Sequence, residues 1–453
     1  MQCRYAPARQ VGRKEGSVID ALPAGTHTVI LAIGDLNGIA RGKRLQARRW
    51  EQVAHHGIAL ANAIFQMDMT CDVWDTPYGS MDNGYPDIHI VPVAGTLRPV
   101  PWEPGVVLTM CTSEEIGTHQ PVPIDPRNAL VAVVDSFQQE DLNPKIGVEL
   151  EFYLLDPDTL LPRDKGIDVY GLLRGAMFEH ILGPIRNLCT EFGVAVEVSN
   201  PEYAPGQFEV NICYDDALKS ADNAVIFKHA VREIAWRNGM HATFMAKPLA
   251  AESGSGCHIH QSLWRDGRNL FSEAGKLSSL GRNYLGGLHF YMADMAVISA
   301  PNPNSMRRRK PYTFCPINNT WGYDNRTIGI RVIEVSESST RIEQRDGSAD
   351  CNPYLLVAAQ LAAGKEGIDN QIDPGEPTLG NGYEVTDADS LPITVPDAVE
   401  RFRKSALVEK FMDPMLANTL VQQAEREHEF VNGSGANFDE VTDVERTRYL
   451  SSF

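Results

Sequence analysis

The sequence predicts a protein of two domains that combine α-helices and β-strands. The chain has 453 residues, which is more than a single hydrophobic core usually organises. Two proline-rich segments, "RPVPWEPG" (98–105) and "HQPVPIDPRN" (119–128), lie close together and interrupt regular structure. Beyond them, short strand patterns alternate with longer helical patterns. We therefore place the domain boundary near residue 120.

The first domain is expected to cover residues 26–119. "HTVILAIGDL" (27–36) and "IHIVPV" (88–93) have the apolar, β-branched composition of strands. "RGKRLQARRWEQVAHHG" (41–57) indicates a turn and then a helix that ends at Gly57, because glycine often follows the last helical residue. Residues 1–25 are expected to form a disordered tail.

The second domain is expected to cover residues 120–453, beginning with a helix from residue 129 to about 139. The predicted strands are 147–155, 194–199, 207–213, 255–263, 328–334 and 341–346. The predicted helices are 175–192, 217–238, 279–298, 353–367, 395–411 and 414–429. Residues 369–394 are rich in turn-forming residues and predict a loop.

Composition excludes several classes of function. The net charge of −18 argues against nucleic acid as a partner, since phosphate backbones attract basic proteins. No apolar stretch approaches the ~18 residues that a membrane-spanning helix needs. The eight cysteines include no C-x-x-C pair, so we expect reduced thiols and a cytoplasmic location.

Charged and polar residues recur at a spacing of two in the predicted strands. Side chains two apart in a strand point to the same face. The residues concerned are Glu149 and Glu151, His258 and His260, and Arg341, Glu343 and Arg345, with Glu202 and Glu209 on either side of a Pro-Gly turn. Alone, the glutamate pair is more often a solvated strand face and the Arg-Glu-Arg run is more often a surface charge ladder, while the histidine pair is as often a polar strand as a metal-binding pair. Together, carboxylates, histidine and arginines are typical of a magnesium- or manganese-dependent phosphoryl-transfer site.

Two common nucleotide-binding patterns are absent from the sequence. There is no G-x-x-x-x-G-K-[ST] motif, which excludes a P-loop protein. There is no G-x-G-x-x-G after a predicted strand, so a dinucleotide site is not indicated. A phosphoryl-transfer site must therefore be built from the strand residues themselves.

Five segments in order resemble a type I glutamine synthetase over about residues 26–430. They are "GVELEFYLL", "GQFEVNI", "AKPLAAESGSGCHIHQSL", "PNPNSMRRRKPY" with "NRTIGIRV", and "RIEQRDGSADCNPYLLVAAQLAAG". The resemblance implies an α+β protein with an N-terminal β-grasp domain and a C-terminal catalytic domain built on a curved antiparallel sheet. It also implies a double-ringed homododecamer whose active sites lie between subunits.

The resemblance further implies roles for individual residues, with ATP as co-substrate and Mg²⁺ or Mn²⁺ as cofactor. A metal on the glutamate side would be bound by Glu151, Glu202 and Glu209, and a metal on the ATP phosphates by Glu149, His258 and Glu343. The nucleotide would contact His260, Ser262, Arg331 and Arg341, while Arg308 and Arg326 would contact phosphate in the transition state. Glutamate would be bound by Arg345, Arg326 and the backbone near Gly254.

Two departures from the ammonia-using enzymes concern the acceptor. Where those enzymes carry an ammonium-site glutamate, this chain has "PYTFCP" with Phe314. A phenyl ring supplies bulk and a π-face but no carboxylate. The "FDGSS" segment, with its base, is replaced by "IFQMDMTCDVW", in which either Asp68 or Asp72 could serve.

These departures favour a different nucleophile. The opening "GDLNGIARGKRL" resembles the γ-glutamylpolyamine and γ-glutamyl-monoamine synthetase branch. We therefore expect an ATP-dependent glutamate–amine ligase of amine catabolism, with a polyamine such as putrescine or a small alkyl or aromatic monoamine as acceptor. The alternatives are an ammonia-dependent glutamine synthetase and a catalytically silent homologue.

Overall fold

The computed structural model of the chain describes residues 20–433 and 438–453. Residues 1–19 of the predicted tail lie outside the described residues. Within the described part, the carbonyl of Asp20 accepts a hydrogen bond of 2.8 Å from Trp50 Nε1. The chain is therefore already in contact with the first domain at Asp20.

A six-stranded sheet forms the N-terminal part of the structure. Its strands are β1 (Thr28–Gly34), β2 (Ala40–Gln46), β3 (Ile58–Ala61), β4 (Asp87–Pro92), β5 (Arg98–Pro99) and β6 (Val106–Glu114). The order is β2-β1-β6-β4-β3, with β5 paired to β6, and only β1 and β6 run parallel among these pairs. The assignment of this region as a β-grasp domain stays a prediction.

One helix, α1 (Trp50–His56), packs on this sheet. Trp50 and Val53 are buried in the same hydrophobic cluster as β1 and β4 residues. The helix ends at Gly57, as predicted; its φ is 69°, and a Cβ there would lie 2.7 Å from the carbonyl of Ile90. Glycine is therefore required at this position by backbone conformation and by close approach.

A nine-stranded sheet forms the second part. The strands after residue 142 are β7 (Asn143–Leu155), β8 (Val196–Pro201), β9 (Gln207–Asp216), β10 (His241–Thr243), β11 (Cys257–Arg265), β12 (Arg268–Asn269), β13 (Ser272–Glu273), β14 (Lys276–Leu277), β15 (Trp321–Tyr323), β16 (Ile330–Ile333) and β17 (Arg341–Gln344). The sheet order is β15-β16-β17-β11-β7-β9-β8, with β10 on β7 and β12 on β11, while β13 and β14 pair separately. It is antiparallel, as expected, except for the parallel edge pair β15 and β16.

The remaining helices lie before, between and after these strands along the chain. They are α2 (Pro126–Gln138), α3 (Leu172–Met177), α4 (Glu179–Glu191), α5 (Ala217–Arg237), α6 (Ser279–Tyr291), α7 (Ala296–Ser299), α8 (Pro303–Met306), α9 (Pro353–Asp369), α10 (Val395–Lys404), α11 (Ala406–Phe411), α12 (Pro414–Asn432) and α13 (Asp443–Tyr449). In the described part of the chain, none of them is both long and apolar enough to cross a bilayer.

Three predicted helices are interrupted. The helix predicted over 175–192 is two helices that meet at Phe178, and the one predicted over 279–298 ends at Tyr291 and resumes at Ala296. The helix predicted over 395–411 breaks at Ser405, whose φ and ψ of −73° and 120° are extended. Ser405 occupies the N-cap position of the next helix, although its side chain forms no capping hydrogen bond there within the described residues. The predicted loop at 369–394 is confirmed, with one 3₁₀ turn at Gly382–Glu384.

Strand β7 separates the two faces of the nine-stranded sheet. Val148, Leu150 and Phe152 are fully or almost fully buried, and α2 and α5 contact this strand. Glu149 and Glu151 alternate with them and are only partly buried. Since strand residues alternate between faces, the helices cover one face, and the two glutamates lie on the other.

Candidate active site

Three carboxylates come together on neighbouring strands. Glu151 on β7 lies directly opposite Glu209 on β9. Glu202 follows the last residue of β8, and its Oε1 accepts a hydrogen bond of 3.0 Å from Asn200 Nδ2. The register of the sheet therefore unites residues that lie far apart along the chain.

The pKa values in this group report crowding of negative charge. Burial and the charge of Glu151 raise the pKa of Glu202 to about 8. Burial and the charges of Glu149 and Glu151 raise the pKa of Glu209 to about 10. A hard divalent cation bound between these carboxylates would remove the repulsion, because such cations prefer oxygen ligands. The donor set fits Mg²⁺ or Mn²⁺.

A second group lies beside the first, around Glu149. His258 Nδ1 is 2.8 Å from Glu149 Oε1 and 3.6 Å from Glu343 Oε1. His260 Nε2 is 3.5 Å from Glu149 Oε2. Burial alone would raise the pKa of Glu149, but the hydrogen bonds from both histidines hold it well below its ordinary value.

Both histidines can serve as ligands in this second group. One ligand atom each of Glu149, His260 and Glu343 lies within 4.8 Å of the others, a spacing that a metal ion could bridge. The family resemblance implies that His258 binds the metal and His260 contacts the nucleotide. The structure brings both residues to Glu149, so the division of roles between them stays a prediction.

Two arginines contact the carboxylate of Glu343. Arg345 lies two residues further along the chain, and Arg331 lies opposite Glu343 on β16. Arg345 Nη1 lies 2.5 Å from Glu343 Oε1, and Arg331 Nη1 lies 3.1 Å from Glu343 Oε2. Burial alone would raise the pKa of Glu343, but the charges of Arg345, His260 and His258 lower it to about 2. Glu343 is therefore ionised at neutral pH, as a metal ligand must be.

The glycines of "SGSG" make room for Arg308. A Cβ at Gly254 would lie 2.4 Å from Arg308 Cγ, and one at Gly256 would lie 2.9 Å from Arg308 Nη2. Arg308 Nη1 donates a hydrogen bond of 2.9 Å to the carbonyl of Gly347. Its Nε is buried without a hydrogen-bond partner in the described ranges, as is the Nε of Arg345. Both guanidinium groups therefore retain a donor that an anionic ligand could use.

The other predicted nucleotide and phosphate residues lie further out. Arg341 Nε donates to His260 Nδ1 at 3.3 Å. Ser262 Oγ accepts a hydrogen bond of 2.9 Å from Trp264 Nε1, and Arg326 is exposed in the loop between β15 and β16. Within the described residues, Ser262 and Arg326 form no hydrogen bond to the clustered glutamates.

The two candidate bases near the N-terminus have different surroundings. Asp68 is buried; its Oδ1 accepts from the backbone N–H groups of Thr70 and Asp72, and its Oδ2 lies 2.9 Å from Arg448 Nη2. Burial alone would raise its pKa, but the hydrogen bonds from Arg448 and Thr70 lower it. Asp72 is exposed. The contacts of Asp68 are thus with its own turn and with α13. The assignment of Asp68 or Asp72 as the base stays a prediction.

Phe314 stacks on a residue that the sequence analysis missed. Its ring centroid lies 5.7 Å from that of Tyr203, with 28° between the ring planes. Tyr203 directly follows Glu202. That adjacency to a candidate ligand was the available sequence signal, but it could not reveal the partner ring more than a hundred residues away.

Two further residues on β9 orient the glutamates. Gln207 Nε2 donates to Glu151 Oε2 at 3.2 Å and to the carbonyl of Gly254 at 3.1 Å. Asn211 Nδ2 donates to Glu149 Oε2 at 2.9 Å. Gln207 and Asn211 flank Glu209 at a spacing of two, so the same strand periodicity would have identified them.

A sheet face with two groups of candidate metal ligands and buried arginines is typical of a metal-dependent phosphoryl-transfer enzyme. The family model described as glutamine synthetase, catalytic domain, matches residues 123–449. The chain is 35% identical to the glutamate–isopropylamine ligase of a Pseudomonas species over 398 residues, which cover 84% of this chain and 86% of that protein.

Other similar proteins also include amine ligases and glutamine synthetases. The chain is 33% identical to the γ-glutamylputrescine synthetase of Escherichia coli over 403 residues, which cover 85% of each protein. A solved structure titled as a GmaS/ADP complex superposes with a TM-score of 0.82 at 29% identity, covering 94% of this chain and 97% of that one. Relatives named glutamine synthetase match at 30–33% identity. The chain therefore belongs to the glutamine synthetase family, a family of ATP-dependent carbon–nitrogen ligases.

Proposed function

We propose that this protein is an ATP-dependent glutamate–amine ligase that forms a γ-glutamyl amide from an organic amine. One observation carries the choice of an organic amine over ammonia. At the acceptor position, Phe314 stacks with Tyr203 instead of presenting a carboxylate. A small ammonium ion is best stabilised by negative charge, whereas an aromatic surface binds alkyl groups and organic ammonium ions.

The metal-binding residues have proposed places in this reaction. Glu151, Glu202 and Glu209 would bind the ion on the glutamate side, which the crowding of their carboxylates supports. Glu149, Glu343 and His258 would bind the ion on the ATP phosphates, and His260 is close enough to share that role. When bound, such ions neutralise phosphate charge and orient the γ-phosphoryl group for transfer.

The remaining site residues would bind the substrates. Arg345 would bind the α-carboxylate of glutamate through a planar guanidinium, and the backbone at Gly254 would meet its α-amino group. Arg308 and Arg326 would stabilise charge on the transferring phosphoryl group. The nucleotide would contact the residues at the other side of the sheet face, namely His260, Ser262, Arg331 and Arg341.

The proposed reaction has two steps. An oxygen of the glutamate γ-carboxylate attacks the γ-phosphorus of ATP, the bond to the bridging oxygen breaks, and ADP leaves. The carboxylate is a poor electrophile, and its phosphorylation supplies a leaving group. A deprotonated primary amine then attacks the acyl carbon, inorganic phosphate leaves, and an amide remains. An acid from the N-terminal part, Asp68 or Asp72, would take the proton of the amine.

The proposed assembly is a double-ringed homododecamer with sites between subunits. Large apolar side chains that are exposed within a short stretch of the chain support an interface of this kind, because exposed apolar surface often marks association sites. Ile167, Leu172, Leu173 and Met177 are 73%, 90%, 75% and 58% exposed in the single chain. A cytoplasmic location is supported by the described cysteines, all of which are free thiols.

A screen of amines tests the proposed function. Phosphate release is measured with glutamate, ATP and Mg²⁺ in the presence of ammonium, ethylamine, isopropylamine, ethanolamine, putrescine or aniline. We expect at least one organic amine to give faster turnover than ammonium at equal concentration. Turnover with ammonium alone would establish the alternative, a glutamine synthetase with a rebuilt acceptor site. No turnover with any amine would favour a catalytically silent homologue.

A further inference from the structure

Tyr203 and Phe314 form an aromatic pair next to two residues of the site, Glu202 and Arg345. Their rings are stacked, with centroids 5.7 Å apart, yet the two residues remain 39% and 43% exposed. Aromatic side chains of a single domain usually bury more of their surface than this. The pair therefore leaves apolar ring surface accessible to a ligand.

The backbone on which each ring is carried contacts or adjoins residues of the site. Phe314 has a φ of 58°, a conformation that is uncommon for a bulky residue, and its carbonyl accepts a hydrogen bond of 3.4 Å from Arg345 Nη2. Arg345 is the proposed glutamate-binding arginine. The ring of Phe314 is thus placed next to the position where the glutamyl group would lie.

The position of Tyr203 is also fixed by hydrogen bonds of the neighbouring backbone. It follows Glu202, whose backbone N–H donates to the carbonyl of Gln207 at 2.9 Å and whose carbonyl accepts from Arg174 Nη1 at 2.7 Å. Arg174 is itself buried and forms an ion pair of 2.8 Å with Asp164. The backbone before Tyr203 is therefore held by hydrogen bonds at both its N–H and its carbonyl. The ring of Tyr203 stacks on that of Phe314, and the two rings form one aromatic surface.

We infer that Tyr203 and Phe314 form the wall that binds the acceptor, and that this acceptor is a primary monoamine with a short apolar substituent. The inference rests on the proposed function and narrows its substrate class. The ring faces attract an organic ammonium ion as it approaches and then cover its alkyl group. Tyr203 is the specificity-determining residue that the inference adds to Phe314.

The charges around the pair disfavour a diamine. Arg345 Nη2 donates a hydrogen bond of 3.4 Å to the carbonyl of Phe314, which places a guanidinium beside the pair. The nearest carboxylate along the chain is Glu202, which the proposed function assigns to a metal ion. A second ammonium group on the acceptor would meet apolar rings and the guanidinium of Arg345, so its desolvation would not be compensated.

The test compares kcat/KM for propylamine, putrescine and ammonium in the wild type, Tyr203→Ala, Tyr203→Phe and Phe314→Ala. We expect the wild type to prefer propylamine to putrescine. Tyr203→Ala and Phe314→Ala should each lower kcat/KM for propylamine by roughly tenfold, with KM for glutamate changed less than about twofold. Tyr203→Phe should keep the wild-type preference, because the ring remains.

Phe290→Ala is the matched control. Phe290 is 62% exposed and packs on Tyr291 with centroids 4.8 Å apart, but it lies on α6. It should leave the amine preference unchanged. Thermal melting of every variant separates loss of fold from loss of the wall, and Tyr203→Phe provides the conservative comparison.

The outcomes separate this inference from the proposed function. If the wild type prefers organic amines but Tyr203→Ala uses every amine as well as the wild type does, the wall is refuted while the amine ligase stands. If the wild type prefers putrescine, the monoamine class is refuted. If the wild type uses ammonium alone, the proposed function and the wall are both refuted.

Discussion

Glu151 on β7 lies directly opposite Glu209 on β9, in the middle of the nine-stranded sheet. Like charges directly opposite each other destabilise a pair of antiparallel strands. The pKa of Glu209 is raised to about 10 by burial and by the charges of Glu149 and Glu151. The relationship is explained if a divalent cation binds between these carboxylates when the enzyme is loaded.

This arrangement predicts that the metal-free protein loses stability as pH rises. Glu202 and Glu209 bind their protons more tightly in the folded chain, with pKa values of about 8 and about 10, than in the unfolded chain, near 4.5. The folded state then binds more protons than the unfolded state above pH 4.5, so the free energy of unfolding falls with pH until these groups have titrated. The pKa values of Glu149 and Glu343 are lowered, so these two groups change the free energy of unfolding only at pH values below about 4.5.

The measurement is the melting temperature in EDTA and in Mg²⁺ between pH 5 and pH 9. We expect Mg²⁺ to stabilise the protein more at pH 8 than at pH 6, because the cation replaces bound protons. Glu209→Gln should flatten the decline in EDTA. An equal Mg²⁺ effect at both pH values would show that these carboxylates do not bind the ion.

A second prediction concerns the histidine opposite Glu149. His258→Ala should lower metal-dependent ATP turnover by roughly 100-fold, and Glu151→Ala should do the same, with the fold retained. Turnover is measured as a function of Mg²⁺ concentration. His119→Ala is a matched control, since His119 also pairs with a carboxylate, Glu114 at 2.7 Å, but on the N-terminal sheet. Near wild-type turnover of either site variant at low Mg²⁺ would refute the metal assignment.

A third prediction separates the two arginines that contact Glu343. Arg345→Ala should raise KM for glutamate by roughly 10- to 100-fold and KM for ATP little, because a bidentate carboxylate contact contributes about 1.5–3 kcal/mol. Arg331→Ala should show the opposite pattern. Both variants leave Glu343 with one arginine, so the loss of its ion pair is comparable. Equal effects of Arg345→Ala on both substrates would refute its role as the glutamate clamp.

A fourth prediction concerns the acceptor. Phe314→Glu would place a carboxylate where the ring now lies and should narrow or reverse the preference for organic amines over ammonium by roughly tenfold or more. The altered "FQMDMT" segment, with Asp68 bound to Arg448, limits how far ammonium use can be restored. Tyr312→Glu is the matched control, since Tyr312 also has a positive φ and is 70% exposed. Both variants are compared by kcat/KM for ammonium and propylamine.

Much of the site could be predicted because strand periodicity is a local property. Glu149 and Glu151 share a face because they are two residues apart, and the same holds for His258 and His260. The structure confirms that these pairs meet on one sheet. The family could also be predicted, since five segments keep their order along the chain.

The features of the site that could not be predicted from the sequence depend on strand register and on tertiary contacts. The pairing of Tyr203 with Phe314 joins two loops, and no local pattern encodes it. The backbone of Ser405 is extended, so the helix breaks there even though the helical periodicity continues on either side, and tertiary context overrides that local pattern. Asp68 looked like an available base, but only the fold places Arg448 against it.

An organic amine, and not ammonia, is the proposed acceptor. The most direct test is a competition in which glutamate, ATP and Mg²⁺ are supplied with ammonium and one primary amine at equal concentration, and the products are resolved by mass. Burying two or three methylenes against the aromatic pair contributes about 0.8 kcal/mol each, which corresponds to roughly 10- to 100-fold in product ratio. We predict that the γ-glutamyl amide exceeds glutamine by about that factor for at least one of ethylamine, isopropylamine, ethanolamine, putrescine and aniline. If glutamine dominates against every competitor, the amine-ligase account is contradicted.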